Sequence, residues 1–253
     1  THNNLMRYTR AGMNEREIHG FIDYCFAKNG STYSAYHHIV AGGNNANILH
    51  YNNNNETLKD GELLLVDAGC EFGVYASDIT RTFPINGKFT AAQKRIYELV
   101  LKVQKDSIER VKPGVTMNEL HLASAKDLSI GLVELGLLKG SIDEIMEKNL
   151  FKEFYPHGLG HWLGMDVHDT CPYYDLERAD LKLAPGMVIT IEPGLYLNSN
   201  NANVPNEYKG IGIRIEDDVL VTKDGREVLT KSCVKEVADI EKICAEKLTM
   251  PQI

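Results

Sequence analysis

Apolar residues recur along this chain with two periods, and the switch between them marks its elements. From Asn14 to Gly30 they return every three or four residues. Ile18, Phe21, Ile22, Cys25 and Phe26 share one helical face, and Gly30 supplies a stop. Thr90 is placed to cap a long helix whose inner stripe is Ile96, Leu99, Val100 and Val103. The "KPGVT" segment breaks the chain, and a second helix is expected from Met117 to about Leu135. Ser141 and Glu144 stand at capping-box spacing ahead of a short third helix. The first residues from Thr1 are helix-like, and a closing helix is expected near Ala238–Lys247.

Elsewhere the period drops to two. Strands are expected at Tyr36–Ala41, Glu62–Asp67 and Phe72–Phe83, the last two joined tightly through "AGCEFG". Beyond Pro156 the strand character returns in "HGLGHWLG", "GMVITIEPGLYL" and "GIGIRIEDDVLV", with a short strand after the "KDGRE" turn. The "YNNNN" run reads as a polar surface loop. No Pro/Ser-rich linker separates the halves. The layout predicts one α/β (α+β) domain with antiparallel sheet, its second half similar to its first, as after an old internal duplication.

Within these strands, carboxylates stand where apolar alternation should rule. Asp67 ends an almost wholly apolar strand, and Asp78 follows eleven residues later. Alternation places Asp78, Thr80 and Thr82 on one face, with Ile79 and Phe83 opposite. Val188, Thr190 and Glu192 share a face opposed to Met187, Ile189 and Ile191. Gly212, Arg214 and Glu216 likewise oppose Ile211, Ile213 and Ile215. A solvated polar face accounts for any one of these strands alone. Taken together, their acids have only Thr, Gly and Arg214 beside them, which leaves space and supplies one fixed positive charge. That pattern suits acids converging on cations, because buried charges persist only when paired or bound to metal. His157, His161 and His168 fall within twelve residues of a Gly-rich segment that reads as extended or looped. There is no His-Glu-x-x-His and no Cys-x-x-Cys, and oxygen donors outnumber imidazoles. Such a set suits Mn²⁺, Fe²⁺ or Co²⁺ as well as Zn²⁺.

Composition narrows the alternatives. The formal net charge of −8, without a Lys/Arg run, argues against nucleic acid as a partner. No apolar run has the length of a membrane span, and no signal peptide is recognisable, so no membrane partner is expected. Five cysteines without a close-spaced pair lead to the expectation of reduced thiols and a cytoplasmic location. Asn29 and Asn55 stand in glycosylation sequons that, in this setting, read as chance.

The segments "DAG…SDITRTF", "HGLGHWLGMDVHD", "ITIEPGLY" and "GIGIRIEDD" together resemble the pita-bread metallopeptidases, the family of aminopeptidase P, prolidase and methionine aminopeptidase. The resemblance runs from "IVAGGNNANILHY" to the final helix, and its neighbours are most similar to the bacterial aminopeptidase P (Xaa-Pro aminopeptidase) branch. It implies a pita-bread fold, a pseudo-two-fold antiparallel sheet covered by helices, with residues 1–253 forming the catalytic metallopeptidase domain. The usual branch member carries a separate N-terminal domain, which is not found in this chain. A dinuclear site of two divalent ions, Mn²⁺ first with Co²⁺, Fe²⁺ or Zn²⁺ as alternatives, is implied on Asp67, Asp78, His161, Glu192 and Glu216. Asp67 would grip one ion with both oxygens, Asp78 and Glu216 would bridge the pair, and Glu192 would also accept the proton. His50, His157 and His168 match histidines that hold substrate and developing charge, and Arg214 resembles the residue that orients the bridging carboxylate. The implied substrates are peptides with proline second, and the implied full-length protein is a homo-oligomer. Alternatives are a dipeptide-only prolidase, a metal-free creatinase-like amidinohydrolase and a non-catalytic binding module of the same fold. The stretch "VHDTCP" departs from the expected continuation, putting Thr170 and Cys171 beside the substrate pocket.

Overall fold

A computed structural model of the chain describes residues 1–246 and 248. The chain opens with helices α1 (His2–Tyr8) and α2 (Glu15–Lys28) and strands β1 (Tyr33–Ser34) and β2 (Ile39–Gly42). Strands β3 (Leu63–Asp67), β4 (Cys70–Phe72), β5 (Tyr75–Ala76) and β6 (Thr80–Pro84) follow, then helices α3 (Ala91–Arg110), α4 (Met117–Glu134) and α5 (Ile142–Glu147). The second strand region holds β7 (Val188–Ile191), β8 (Gly194–Leu197), β9 (Ile211–Arg214), β10 (Asp217–Val221) and β11 (Arg226–Val228), before α6 (Val237–Ala245).

The helices begin where the capping chemistry places them. Asn14, Thr90 and Thr116 each close a reciprocal capping box, with Glu17, Gln93 and Glu119 respectively. Ser141 caps α5 from one side only, accepting from the Glu144 amide at 3.2 Å. The closing helix ends at Ala245, and Lys247, the expected last residue, lies outside the described residues.

All named strand pairs are antiparallel, in sheets β2-β3-β6, β7-β10-β11, β8-β9 and β1-β4-β5. The two halves meet where β6 lies beside β9: the Glu216 amide donates to the Thr80 carbonyl at 3.1 Å, and Thr82 Oγ1 to the Arg214 carbonyl at 3.0 Å. Leu64 and Val66 of β3, Ile213 of β9 and the neighbouring Ile215 pack in one core with Ile96, Tyr97 and Val100 of α3. Helices therefore cover the apolar side of the strands, and the alternate positions are free to line a polar cavity.

Three expected strands differ. The chain between Tyr33 and Ala41 is broken, because Ala35 donates to the Gly69 carbonyl and Tyr36 turns towards Asp67 and Asp78. Phe72–Phe83 is not continuous: the chain reverses at Gly73 and Val74, both at positive φ, β5 pairs back on β4, and pairing with β3 begins only at Thr80. "HGLGHWLG" forms no named strand but runs beside β7, with a bridge from Trp162 to Ile189 and backbone hydrogen bonds from Leu163 to the Val188 carbonyl and from Thr190 and Glu192 to the His161 and Leu159 carbonyls. In each case a short excursion re-aims a side chain that an unbroken strand would have left in register.

Candidate metal centre

The site is built from chain ends of strands rather than their middles. Asp67 closes β3 opposite Thr80, and Asp78 stands just ahead of β6. The excursion between them is pinched at its neck, where a Cβ on Gly69 would come within 1.6 Å of the Ser77 carbonyl oxygen. Only glycine lets the two acids return to one spot. Glu192 follows β7, and Glu216 lies between β9 and β10. His161 arrives on a loop pressed against β7, with its amide on Thr190 Oγ1 at 3.0 Å. A Cβ on Gly160 would sit 1.9 Å from the Thr190 carbonyl oxygen, so this approach also requires glycine.

One cavity of about 270 Å³ is lined by Asp67, Asp78, His161, Glu192 and Glu216, and by His50, His157, His168 and Arg214 as well. All nine residues that the resemblance implies for the site are thus brought together, whereas Thr170 and Cys171, expected beside the substrate pocket, do not line it, and Cys171 lines a separate cavity. His161 Nε2 lies 3.3 Å from Asp78 Oδ2 and 3.4 Å from Glu192 Oε1. Donor atoms of Asp78, His161 and Glu216 fall within 4.8 Å of one another.

Several partners escaped the sequence reading. Tyr36 OH lies within hydrogen-bond reach of both Asp67 Oδ1 and Asp78 Oδ1, and its single proton is shared between them. Thr80 Oγ1 donates to Glu216 Oε2 at 2.6 Å and accepts from Arg214 Nε at 3.2 Å. Arg214 also reaches Asp67 Oδ2 at 2.6 Å and the Tyr196 hydroxyl at 2.9 Å, and His157 Nε2 meets that hydroxyl at 2.7 Å. Thr80 shares a face with Asp78 in the sequence and was the one detectable signal. Tyr36 and Tyr196 had none, because each acts across the fold.

The electrostatics describe a crowd of acids short of positive charge. Burial and the Asp67 charge push the Asp78 carboxyl up to about 6, and burial with Asp78 and Asp67 nearby pushes Glu192 up to about 8 despite His161 and Arg214. Glu216 rises well above the carboxylate range through burial and its three acidic neighbours. Asp67 alone goes down: burial opposes it, but the Arg214 guanidinium and Tyr36 hold it ionised. Burial would lower His161, yet the hydrogen bond to Asp78 and the Glu192 charge raise it to about 9.

The donor set fits divalent cations. His161 Nδ1 faces the Trp162 carbonyl at 2.9 Å, so its proton has an acceptor and Nε2 is left aimed at the acids. Each Asp67 oxygen gives one lone pair to Tyr36 or Arg214 and keeps another. A second group, His19, Asp23 and His38, makes an instructive contrast. Asn54 is oriented by the Val40 amide and the His38 carbonyl and donates to His19 Nδ1 at 3.0 Å. The His19 proton therefore sits on Nε2, 3.5 Å from Asp23. His38 Nδ1 is buried with no hydrogen-bond partner among the described residues. Ligation through both Nε2 atoms would leave each Nδ1 proton without an acceptor, so this group serves as a clamp between α2 and β2.

A profile of metallopeptidase family M24 matches residues 1–223. The chain is 49% identical over 242 residues to the Xaa-Pro aminopeptidase of Haemophilus influenzae, covering 96% of this chain and 56% of that protein. It is 47% identical over 240 residues to the Xaa-Pro aminopeptidase of Escherichia coli, covering 95% and 54%. The chain thus spans about half the length of the curated relatives it matches. Among solved structures, Pseudomonas aeruginosa aminopeptidase PepP superposes with a TM-score of 0.94 at 48% identity, over 96% of this chain and 55% of that one. An E. coli aminopeptidase P variant in complex with substrate gives 0.93 at 46% identity, over 96% and 55%.

Proposed function

The chain belongs to metallopeptidase family M24 and has its pita-bread fold, and from that premise we propose that residues 1–253 are the catalytic domain of an Xaa-Pro aminopeptidase. It would release an N-terminal residue from peptides with proline second. One observation carries the reading: five oxygen- or nitrogen-donor side chains, three further histidines and an arginine line a single cavity.

Two divalent ions, Mn²⁺ foremost with Co²⁺, Fe²⁺ or Zn²⁺ as alternatives, would be held by Asp67, Asp78, His161, Glu192 and Glu216. When bound they supply charge that acidifies water and polarises the scissile carbonyl. The remaining work falls to the chain. Glu192, as the carboxylate and with an affinity for the proton that burial raises, would take the proton of the attacking water and pass it to the prolyl nitrogen as the carbon–nitrogen bond breaks. That nitrogen carries no hydrogen in the substrate, so it needs a proton to depart. Arg214 and Tyr36 hold Asp67, and Thr80 links Arg214 to Glu216, which fixes the donors before substrate arrives. His50, His157 and His168 stand around the cavity where the peptide and its developing negative charge are placed. The reading includes a cytoplasmic location and a homo-oligomeric full-length protein. Among the described residues no helix is long and apolar enough to cross a membrane.

The test is to load the protein with Mn²⁺ and compare Xaa-Pro-Xaa tripeptides with Xaa-Pro dipeptides. Tripeptide cleavage with release of the N-terminal residue is expected. Cleavage of dipeptides alone would move the assignment to a prolidase. No cleavage of either, with no bound metal by elemental analysis, would leave a non-catalytic module.

A further inference from the structure

A cavity of about 310 Å³ adjoins the metal centre and shares Gly158 and Gly160 with its wall. Neither residue has a side chain, so bare backbone forms the ridge between the two spaces. The Glu192 amide donates to the Leu159 carbonyl at 2.7 Å, which sets this ridge beside the group assigned to protonate the leaving prolyl nitrogen. The adjoining cavity therefore lies on the side of the residues that follow proline.

Its outer wall carries Asp180, Asn118, Tyr173 and Tyr174, each with accessible surface. Tyr173 is 43% exposed and Tyr174 60%. Asp180 Oδ2 accepts from Asn118 Nδ2 at 2.9 Å. Among the described residues the other Asp180 oxygen has no hydrogen bond, and the carboxylate forms no salt bridge. Nor is Asp180 needed to cap α4, whose first turn is closed by Thr116 and Glu119. With its amide nitrogen on Asp180, Asn118 keeps its carbonyl oxygen as a further acceptor. Burial, with the Lys152 charge, holds the nearby His121 imidazole below its usual range, so that side chain adds no positive charge. The wall thus offers acceptors, aromatic rings and a carboxylate without a cation. Such a set suits an ammonium or guanidinium group, which pairs with carboxylates and with aromatic faces alike.

We propose that this cavity receives a lysine or arginine side chain of the peptide, from the first or second residue after proline, against Asp180 and the two tyrosines. The chain is then selective for peptides that are basic just beyond proline, and its formal net charge of −8 favours their approach. The proposal rests on the peptidase reading above, because that reading places the peptide.

Direct binding tests it without turnover. Calorimetry on Mn²⁺-loaded protein compares the amides of Pro-Lys-Ala and Pro-Ala-Lys with the same peptides carrying norleucine in place of lysine. Pro-Leu, a peptide of this product-like form, is the inhibitor bound in an E. coli aminopeptidase P structure. Lysine is expected to bind roughly fivefold or more tightly than norleucine in one of the two positions. Asp180→Asn should remove that preference, and Asp180→Lys should reverse it in favour of glutamate at the same position. Three results would each overturn the proposal. They are equal binding of lysine and norleucine in both positions, no saturable binding of any of the peptides, and a preference for lysine that survives either substitution. Cleavage of Ala-Pro-Leu, followed separately in the same preparation, tests the peptidase reading itself, so either can fail alone.

Discussion

Glu216 and Asp217 are neighbours in sequence, both buried, and they face opposite sides of the same strand region. Asp217 meets Arg81 at 2.7 Å, Lys235 at 2.6 Å, Gln104 at 2.8 Å and Thr230 at 2.6 Å. Burial pushes its carboxyl up, but the Arg81 and Lys235 charges win and hold it below the usual carboxylate range. Glu216 receives Thr80 at 2.6 Å and shares its cavity with Asp67, Asp78 and Glu192, so burial and like charge drive it far up. Equal burial thus produces opposite shifts, and the difference is the supply of positive charge. Asp217 is neutralised by the chain itself, whereas the Glu216 side is left short of positive charge, a deficit that bound cations would fill.

The comparison breaks most sharply if catalysis does not depend on the deficient side. Asp78→Asn is expected to lower peptide turnover by at least on the order of 1,000-fold, with reduced metal content by elemental analysis and a folded far-ultraviolet spectrum. Retained turnover would show that the acids are not the catalytic set. Next in size is stability. Asp217→Asn strands the buried Arg81 and should cost about 3–5 kcal/mol in urea unfolding, whereas Glu216→Gln in chelator-treated protein should cost less than ~1 kcal/mol or stabilise. Equal costs would erase the distinction between the two groups.

A smaller effect tests the scaffold around the acids. Tyr36→Phe removes the hydroxyl shared by Asp67 and Asp78, and metal affinity by competition with a chelating dye should fall roughly 10–100-fold. An unchanged affinity would mean the hydroxyl is incidental. The smallest expected effect is in pH dependence. In metal-free protein Asp78, Glu192 and His161 bind protons more tightly folded than unfolded, so the stability they contribute is present at low pH. It is lost as pH rises through about 6, 8 and 9 respectively. Asp217 has the opposite sign, contributing above the unfolded carboxylate pKa near 4 and failing only in acid. The melting temperature of chelator-treated protein should therefore drop between pH 5 and 8, a range set by these shifts, and excess Mn²⁺ should flatten that slope. A flat profile without metal would contradict the charge deficit.

How much of this was legible in the chain depends on the reach of each signal. Helices α2, α3 and α4 follow from periodicity and caps that lie within a few residues of one another. The alternation of Asp78, Thr80 and Thr82, and of Arg214 and Glu216, is equally local, and so it was readable as a set of acid-bearing faces. The breaks at Tyr36 and at Gly73–Val74 were not, because an apolar, β-prone run carries no local mark of where another segment will pull it away.

The sequence by itself determined the helices, the two-residue alternation that turns each acid away from the core, and, through family resemblance, the nine residues that share the cavity. Tertiary structure alone decided which acids would be satisfied within the chain. The partners concerned are distant: Arg81 from Asp217 by 136 residues, Thr80 from Glu216 by 136, and Arg214 from Asp67 by 147. A carboxylate's charge state depends on what stands within a few ångströms of it, and that neighbourhood exists only once the two halves of the sheet have met.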